Sequence, residues 1–269
     1  MSRIRVVLVA GLAAGSLVTV GASGASAAFP SKVTSLGDSI TRAFQTCFFP
    51  FTDCPQNSWA TGTSSTVKSV FFRIKEHNSS ATATNRAVSG AKVASLNKQA
   101  QGAVSDKAEF VTILIGANDA CANPPTSQAS FTSAFQESIN TLKSGLPNAR
   151  IYVASIPNLF HLWELFHNNR TATFSWEFTK ECPGIMTEPT SEGTAAKARR
   201  AATLAAEEGY DATLKSICAA TANCQYDNGA VFAAKFVESE VSTNDFFHPS
   251  ISGQTTLAAG AWKQLESTF

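Results

Sequence analysis

Phe110-Val111-Thr112-Ile113-Leu114-Ile115 runs directly into Gly116-Ala117-Asn118-Asp119. Six uncharged residues, mostly β-branched or large and apolar, fit a strand buried on both faces, as in a parallel sheet covered by helices. The polar residues that follow then stand at the carboxyl end of that strand, where open parallel sheets present their ligands.

Outward from this stretch, strand-like and helix-like segments alternate. Upstream, residues 32–36 read as a short strand ending at Gly37. Residues 64–77 carry Val67, Val70, Phe71 and Ile74 at helical spacing, and residues 82–88 are β-prone and lead into Ser89-Gly90. Downstream, residues 130–146 read as a helix, Pro147-Asn148 as a turn and residues 150–155 as a strand. A long helix rich in alanine and charge covers residues 194–220. The last strand is expected over residues 231–236 and the closing helix over residues 252–265. This order predicts the α/β class: a three-layer α/β/α sandwich around a central, mostly parallel sheet. No repeat, low-complexity tract or linker divides residues 29–269, so they are expected to form one domain.

The chain has 269 residues, 44% of them hydrophobic and 15% charged, which supplies a sizeable core and excludes a disordered class. Residues 1–28 read as a secretory signal peptide. Arg3 and Arg5 precede an apolar run over residues 6–20, and Ala25-Ser26-Ala27 is a small-x-small cleavage site. That run is short for a spanning helix, so a secreted, extracellular protein without a transmembrane segment is expected, starting at Ala28 or Phe29. Without Arg3 and Arg5 the 21 basic residues become 19 against 20 acidic ones, a net charge of −1. That balance offers nucleic acid nothing. All six cysteines follow the leader, and an even count in an exported chain points to disulfides. Many pairings are open. The short loops from Cys47 to Cys54 and from Cys218 to Cys224 favour pairing in sequence order, which leaves Cys121 with Cys182.

Four segments carry chemistry. Asp245-Phe246-Phe247-His248-Pro249 places a carboxylate three residues before an imidazole, so one ring nitrogen can be held while the other takes a proton. Gly37-Asp38-Ser39-Ile40 puts a hydroxyl at the end of the first strand, and Gly37 permits a tight turn. Asn118 can donate its side-chain amide to a developing negative charge. Gly90 lets a backbone N–H approach a ligand. Each segment alone also suits a bland role: a loop histidine bonded to its neighbour, a turn, a helix cap. The chain has four histidines but no metal-binding pair such as His-Glu-x-x-His, and no phosphate-binding glycine loop.

Taken in order, Ser35-Leu36-Gly37-Asp38-Ser39, Asn85 to Gly90, Gly116-Ala117-Asn118-Asp119 and Asp245 to Pro249 resemble the SGNH hydrolases, or GDSL esterases and lipases. The resemblance spans nearly the whole chain after the leader and implies a flavodoxin-like α/β fold. It implies Ser39 as nucleophile, His248 as general base and Asp245 as the carboxylate that orients it. It also implies an oxyanion hole formed by Ser39, Gly90 and Asn118, with no metal or organic cofactor. Looser similarity of Asn57 to Gly62, Gly90-Ala91-Lys92 and Gly116 to Cys121 to the phospholipase B-like branch implies a lipid ester or phospholipid substrate. Residues 159–186 hold Trp163, Phe166 and Trp176 among many aromatics. They are expected to line an acyl pocket or touch a lipid surface transiently, although core packing explains the same pattern. A carbohydrate acetylesterase and a non-catalytic binding protein on the same fold stand as rivals, and a monomer is the default.

Overall fold

The computed structural model describes Met1 and residues 28–269. The leader read over residues 1–28 therefore lies, apart from its two ends, outside the described residues.

Five strands form one parallel sheet: β1 (Lys32–Gly37), β2 (Thr82–Asn85), β3 (Phe110–Leu114), β4 (Arg150–Val153) and β5 (Cys224–Tyr226), in the order β2-β1-β3-β4-β5. The helices are α1 (Val70–His77), α2 (Leu96–Asp106), α3 (Ala117–Cys121), α4 (Gln128–Gly145), α5 (Leu159–Phe166), α6 (Arg170–Thr179), α7 (Pro183–Met186), α8 (Thr194–Ala219), α9 (Ala230–Ala233) and α10 (Ile251–Leu265). The chain steps one way from β1 to β2 and then crosses back to β3, β4 and β5. Right-handed crossovers put the connecting helices of opposite steps on opposite faces. Accordingly α2, α4 and α8 pack together, while α1 packs with α10. The sheet lies between these layers, and β3 at its centre is buried along its whole length.

Local differences from the sequence reading have physical causes. The last strand is β5, not residues 231–236. Asp227 accepts backbone N–H groups from Gly229 (2.8 Å) and Val231 (3.0 Å), and Ser155 Oγ accepts that of Phe232. These bonds wind the chain into α9. The pairing edge falls to Cys224-Gln225-Tyr226, which has no apolar run to announce it. Regular helix over residues 64–77 begins only at Val70, where Ser69 Oγ accepts the Phe72 N–H. α2 was not foreseen, because its sequence is mostly polar and only Leu96, Gln99, Ala100 and Ala103 are buried. Residues 159–186 fold as three helices, α5, α6 and α7.

The cysteines pair in sequence order, Cys47–Cys54, Cys121–Cys182 and Cys218–Cys224. The second bond ties the insert to α3. No helix among the described residues is long and apolar enough to cross a membrane.

Candidate active site

β1 delivers Ser39 to the point where the strand order reverses, the crevice between the carboxyl ends of β1 and β3. The turn depends on Gly37. Its φ is +147°, and a Cβ there would stand 2.3 Å from the Leu114 carbonyl oxygen. Gln99 of α2 grips Gly37 from both sides, accepting its N–H at 2.8 Å and donating to its carbonyl at 2.9 Å. Asp38 Oδ1 then accepts the Ile40 N–H at 2.9 Å, which curls the chain around Ser39.

His248 reaches the same point from 209 residues along the chain. Its Nε2 lies 2.8 Å from Ser39 Oγ, and its Nδ1 lies 2.7 Å from Asp245 Oδ2. Asp245 is fully buried, and its other oxygen accepts the N–H groups of Phe247 (2.9 Å) and His248 (3.1 Å). The loop is closed at its base by the Val241–Pro249 bridge and by Ser242, whose N–H donates to the His248 carbonyl. A neutral His248 held this way donates from Nδ1 and can accept the Ser39 proton at Nε2. Burial works against a charged ring here. The hydrogen bond and charge of Asp245, with the charge of Glu181 beyond it, outweigh that and hold His248 above the ordinary imidazole range.

Asn118 is the second residue of α3, just after the end of β3. Its side-chain amide donates to the Ala91 carbonyl at 3.0 Å, and Asp119 accepts the Val93 N–H at 2.8 Å. These two bonds fasten the Gly90 loop to the start of α3. Gly90 has φ +78°, and a Cβ there would meet open space, so its backbone is accessible. An amide nitrogen carries two hydrogens, so the bond to Ala91 leaves Asn118 one more to give.

The sequence matches the model of the GDSL-like lipase/acylhydrolase family over residues 35–256, most of the chain. The chain belongs to that family.

It is accordingly a GDSL-type carboxylic ester hydrolase. No curated protein matches it. Among solved structures, it is similar to a lipase/acylhydrolase from Enterococcus faecalis (TM-score 0.51, 15% identity, covering 87% of this chain and 95% of that one). It is also similar to an extracellular lipase from Streptomyces rimosus (TM-score 0.52, 16% identity, 87% and 99% covered). An acetyl xylan esterase is similar too (TM-score 0.54, 14% identity, 87% and 99% covered). At these identities the likeness is one of fold.

In this GDSL hydrolase the three aromatic candidates of the insert face inward. Trp163, Phe166 and Trp176 are all buried. Trp163 donates to the Pro189 carbonyl and is flanked by His167 and the Arg200 guanidinium. Phe166 packs edge-on against Phe246, and the Trp176 indole donates to the Phe246 carbonyl at 3.1 Å. Phe166 and Trp176 therefore brace the loop that carries Asp245 and His248. Of the insert's aromatics, Phe174 and Phe178 are the large exposed ones.

Two features near the site escaped the sequence reading, and a third was read only in part. Glu181, half-buried beside the disulfide residue Cys182, has its charge felt by both His248 and Asp245. The Phe44 ring lies 4.9 Å from the His248 ring. A mostly apolar groove, lined by Ile40, Leu159, Leu162, Phe236, Val241 and Phe247, adjoins the residues next to Ser39 and His248, and Leu159 and Leu162 come from the stretch expected to line an acyl pocket. The neighbours of the two motif residues, Ile40 and Phe247, were the available signal for that groove.

Proposed function

We propose that this hydrolase is exported and cleaves carboxylic ester bonds of lipids, as a phospholipase of A or B type or a lipase, through an acyl-enzyme. The observation that carries the reading is the 2.8 Å approach of Ser39 Oγ to His248 Nε2, with Asp245 on the ring's other nitrogen. In the first step His248 takes the Ser39 proton as Oγ attacks the ester carbonyl. The N–H groups of Ser39 and Gly90 and the free hydrogen of the Asn118 amide receive the charge on the carbonyl oxygen. The carbon–oxygen bond to the alcohol then breaks, and His248 returns the proton to the departing oxygen. Water, deprotonated by His248, attacks the acyl-serine, releasing the acid and restoring Ser39. Asp245 keeps the imidazole in the required tautomer and stabilises its charged form.

The mostly apolar groove beside Ile40 and Phe247 supports an acyl chain rather than a sugar as the recognised group. The paired cysteines and the signal-like leader support export.

Replacing Ser39 by Ala is expected to cut kcat about a millionfold, as loss of the serine does in comparable triads, with the fold unchanged by circular dichroism. Wild-type turnover in that variant ends the assignment. A panel of phosphatidylcholine, long-chain p-nitrophenyl esters and acetylated xylan tests the substrate class. Preference for the acetylated sugar removes the lipid reading while leaving the catalytic one intact.

A further inference from the structure

The loop closed by the Cys47–Cys54 disulfide carries three phenylalanines that the fold does not use. Phe48 is 93% exposed, Phe49 70% and Phe51 57%. Phe48 and Phe49 meet edge to face with centroids 5.3 Å apart, so the tip presents a cluster of rings and not an isolated side chain. Exposed apolar clusters of this kind mark contact surfaces. The loop is also anchored rather than loose. The Gln45 N–H donates to the Thr52 carbonyl at 3.1 Å, and Gln45 Oε1 accepts the Phe51 N–H at 2.8 Å. Asp53, at its base, accepts from Ser89 Oγ, next to Gly90, and pairs with Arg42 at 2.9 Å.

These anchors put the loop at the mouth of the active site. Phe44, one residue before Gln45, touches the His248 ring, and Ser89 precedes Gly90. We infer that the Phe48-Phe49-Pro50-Phe51 tip is an interfacial anchor that seats the enzyme on an uncharged or zwitterionic lipid surface, with the Ser39 cleft against it. The inference rests on the lipid-ester reading and names how such a substrate is approached. Charge decides the type of surface. Residues 47–52 carry no charge, and the nearest anion, Asp53, is already neutralised by Arg42, so nothing in the loop selects for an anionic membrane. A lipid interface also suits a protruding tip of rings, because it accepts inserted apolar groups without a matching cavity.

The test compares the Ser39→Ala protein, which cannot consume its target, with the same protein also carrying Phe48→Ser, Phe49→Ser and Phe51→Ser. Both are sedimented with phosphatidylcholine vesicles at low and high salt. The parent is expected to bind at both salt concentrations, and the triple substitution to lower its partition coefficient at least tenfold. In the active background the same three substitutions are expected to slow hydrolysis of vesicular substrate at least tenfold. They should leave hydrolysis of a soluble short-chain p-nitrophenyl ester unchanged, which also certifies the fold. Equal vesicle binding by parent and triple variant overturns the proposal, as does binding abolished by salt. So does a self-associated parent whose oligomer, in sedimentation velocity, disappears on substitution, since the patch then belongs to a second copy of the chain. Vesicle binding without hydrolysis of phosphatidylcholine leaves the anchor standing and removes the phospholipid reading instead.

Discussion

Glu181 sits between two residues in left-handed backbone conformation, Lys180 at φ +56° and Cys182 at φ +42°, which bends the chain sharply at its position. Its charge favours protonated His248, as does that of Asp245. The sign of its contribution is therefore definite. In the proposed mechanism His248 must be neutral to take the Ser39 proton, so activity is expected to fall as pH drops through the imidazole pKa. Glu181→Gln removes a group that raises that pKa, and the acid limb of the kcat/KM profile is expected to move to lower pH, with the plateau retained. An acid limb that stays in place, measured with a soluble ester, would sink this role. Nothing in the local sequence singles out Glu181, because its relation to His248 depends on chain folding over 67 positions. Ser39, Asn118 and His248 were legible for the opposite reason. Each lies in a short block whose turn chemistry is local: a glycine that tolerates positive φ, a strand end, a proline after the histidine.

Among the elements, the connection that matters most to the site is the Cys121–Cys182 disulfide. It joins the end of α3, which begins with Ala117-Asn118, to the segment before α7 that carries Glu181. The bond closes a loop with a sequence separation of 61. Chain-entropy arguments give a loop of that size about 4 kcal/mol of stabilisation. Replacing both cysteines by serine is expected to lower Tm by about 10 °C. It should also weaken turnover more than the other two pairs do, because only this pair reaches α3. A double variant with unchanged Tm and kcat would contradict both statements. The insert also shows why composition misdirects: an aromatic-rich stretch between a strand and a helix reads as a pocket wall. Here amphipathic periodicity in α5 turns Leu159, Leu162, Trp163 and Phe166 inward; Leu159 and Leu162 do line the groove, while Trp163, Phe166 and Trp176 pack into the core, the last two bracing the neighbouring loop.

Across the fold, several acids are buried with little compensation. Asp38 is fully buried, has one carboxylate oxygen without a partner, and is pushed up from 3.8 to about 7 by loss of solvent. Burial pushes Asp211 up to about 7 as well, and raises Glu207 well above its usual range. These groups hold protons in the folded chain at pH values where the unfolded chain has lost them. Their stabilising contribution is full below about pH 4 and is lost as pH rises towards about 7. The raised pKa of His248 acts in the same direction over its own range. Tm is therefore expected to be higher at pH 5 than at pH 8. Asp38→Asn, which keeps an acceptor for the Ile40 N–H, should flatten part of that slope. A Tm that rises steadily from pH 5 to pH 8 would refute the account.

Alternation of periodicities and four short motifs were enough to read the α/β class, the family and the residues of the Ser–His–Asp constellation, since each is written in contiguous residues with strong local preferences. The shape of the sheet edge at β5, the inward turn of Trp163, Phe166 and Trp176, the placement of Glu181 and the outward display of Phe48, Phe49 and Phe51 were not readable there. They depend on which apolar faces find partners across the fold and which surface is left over, a competition among distant segments that no local window contains.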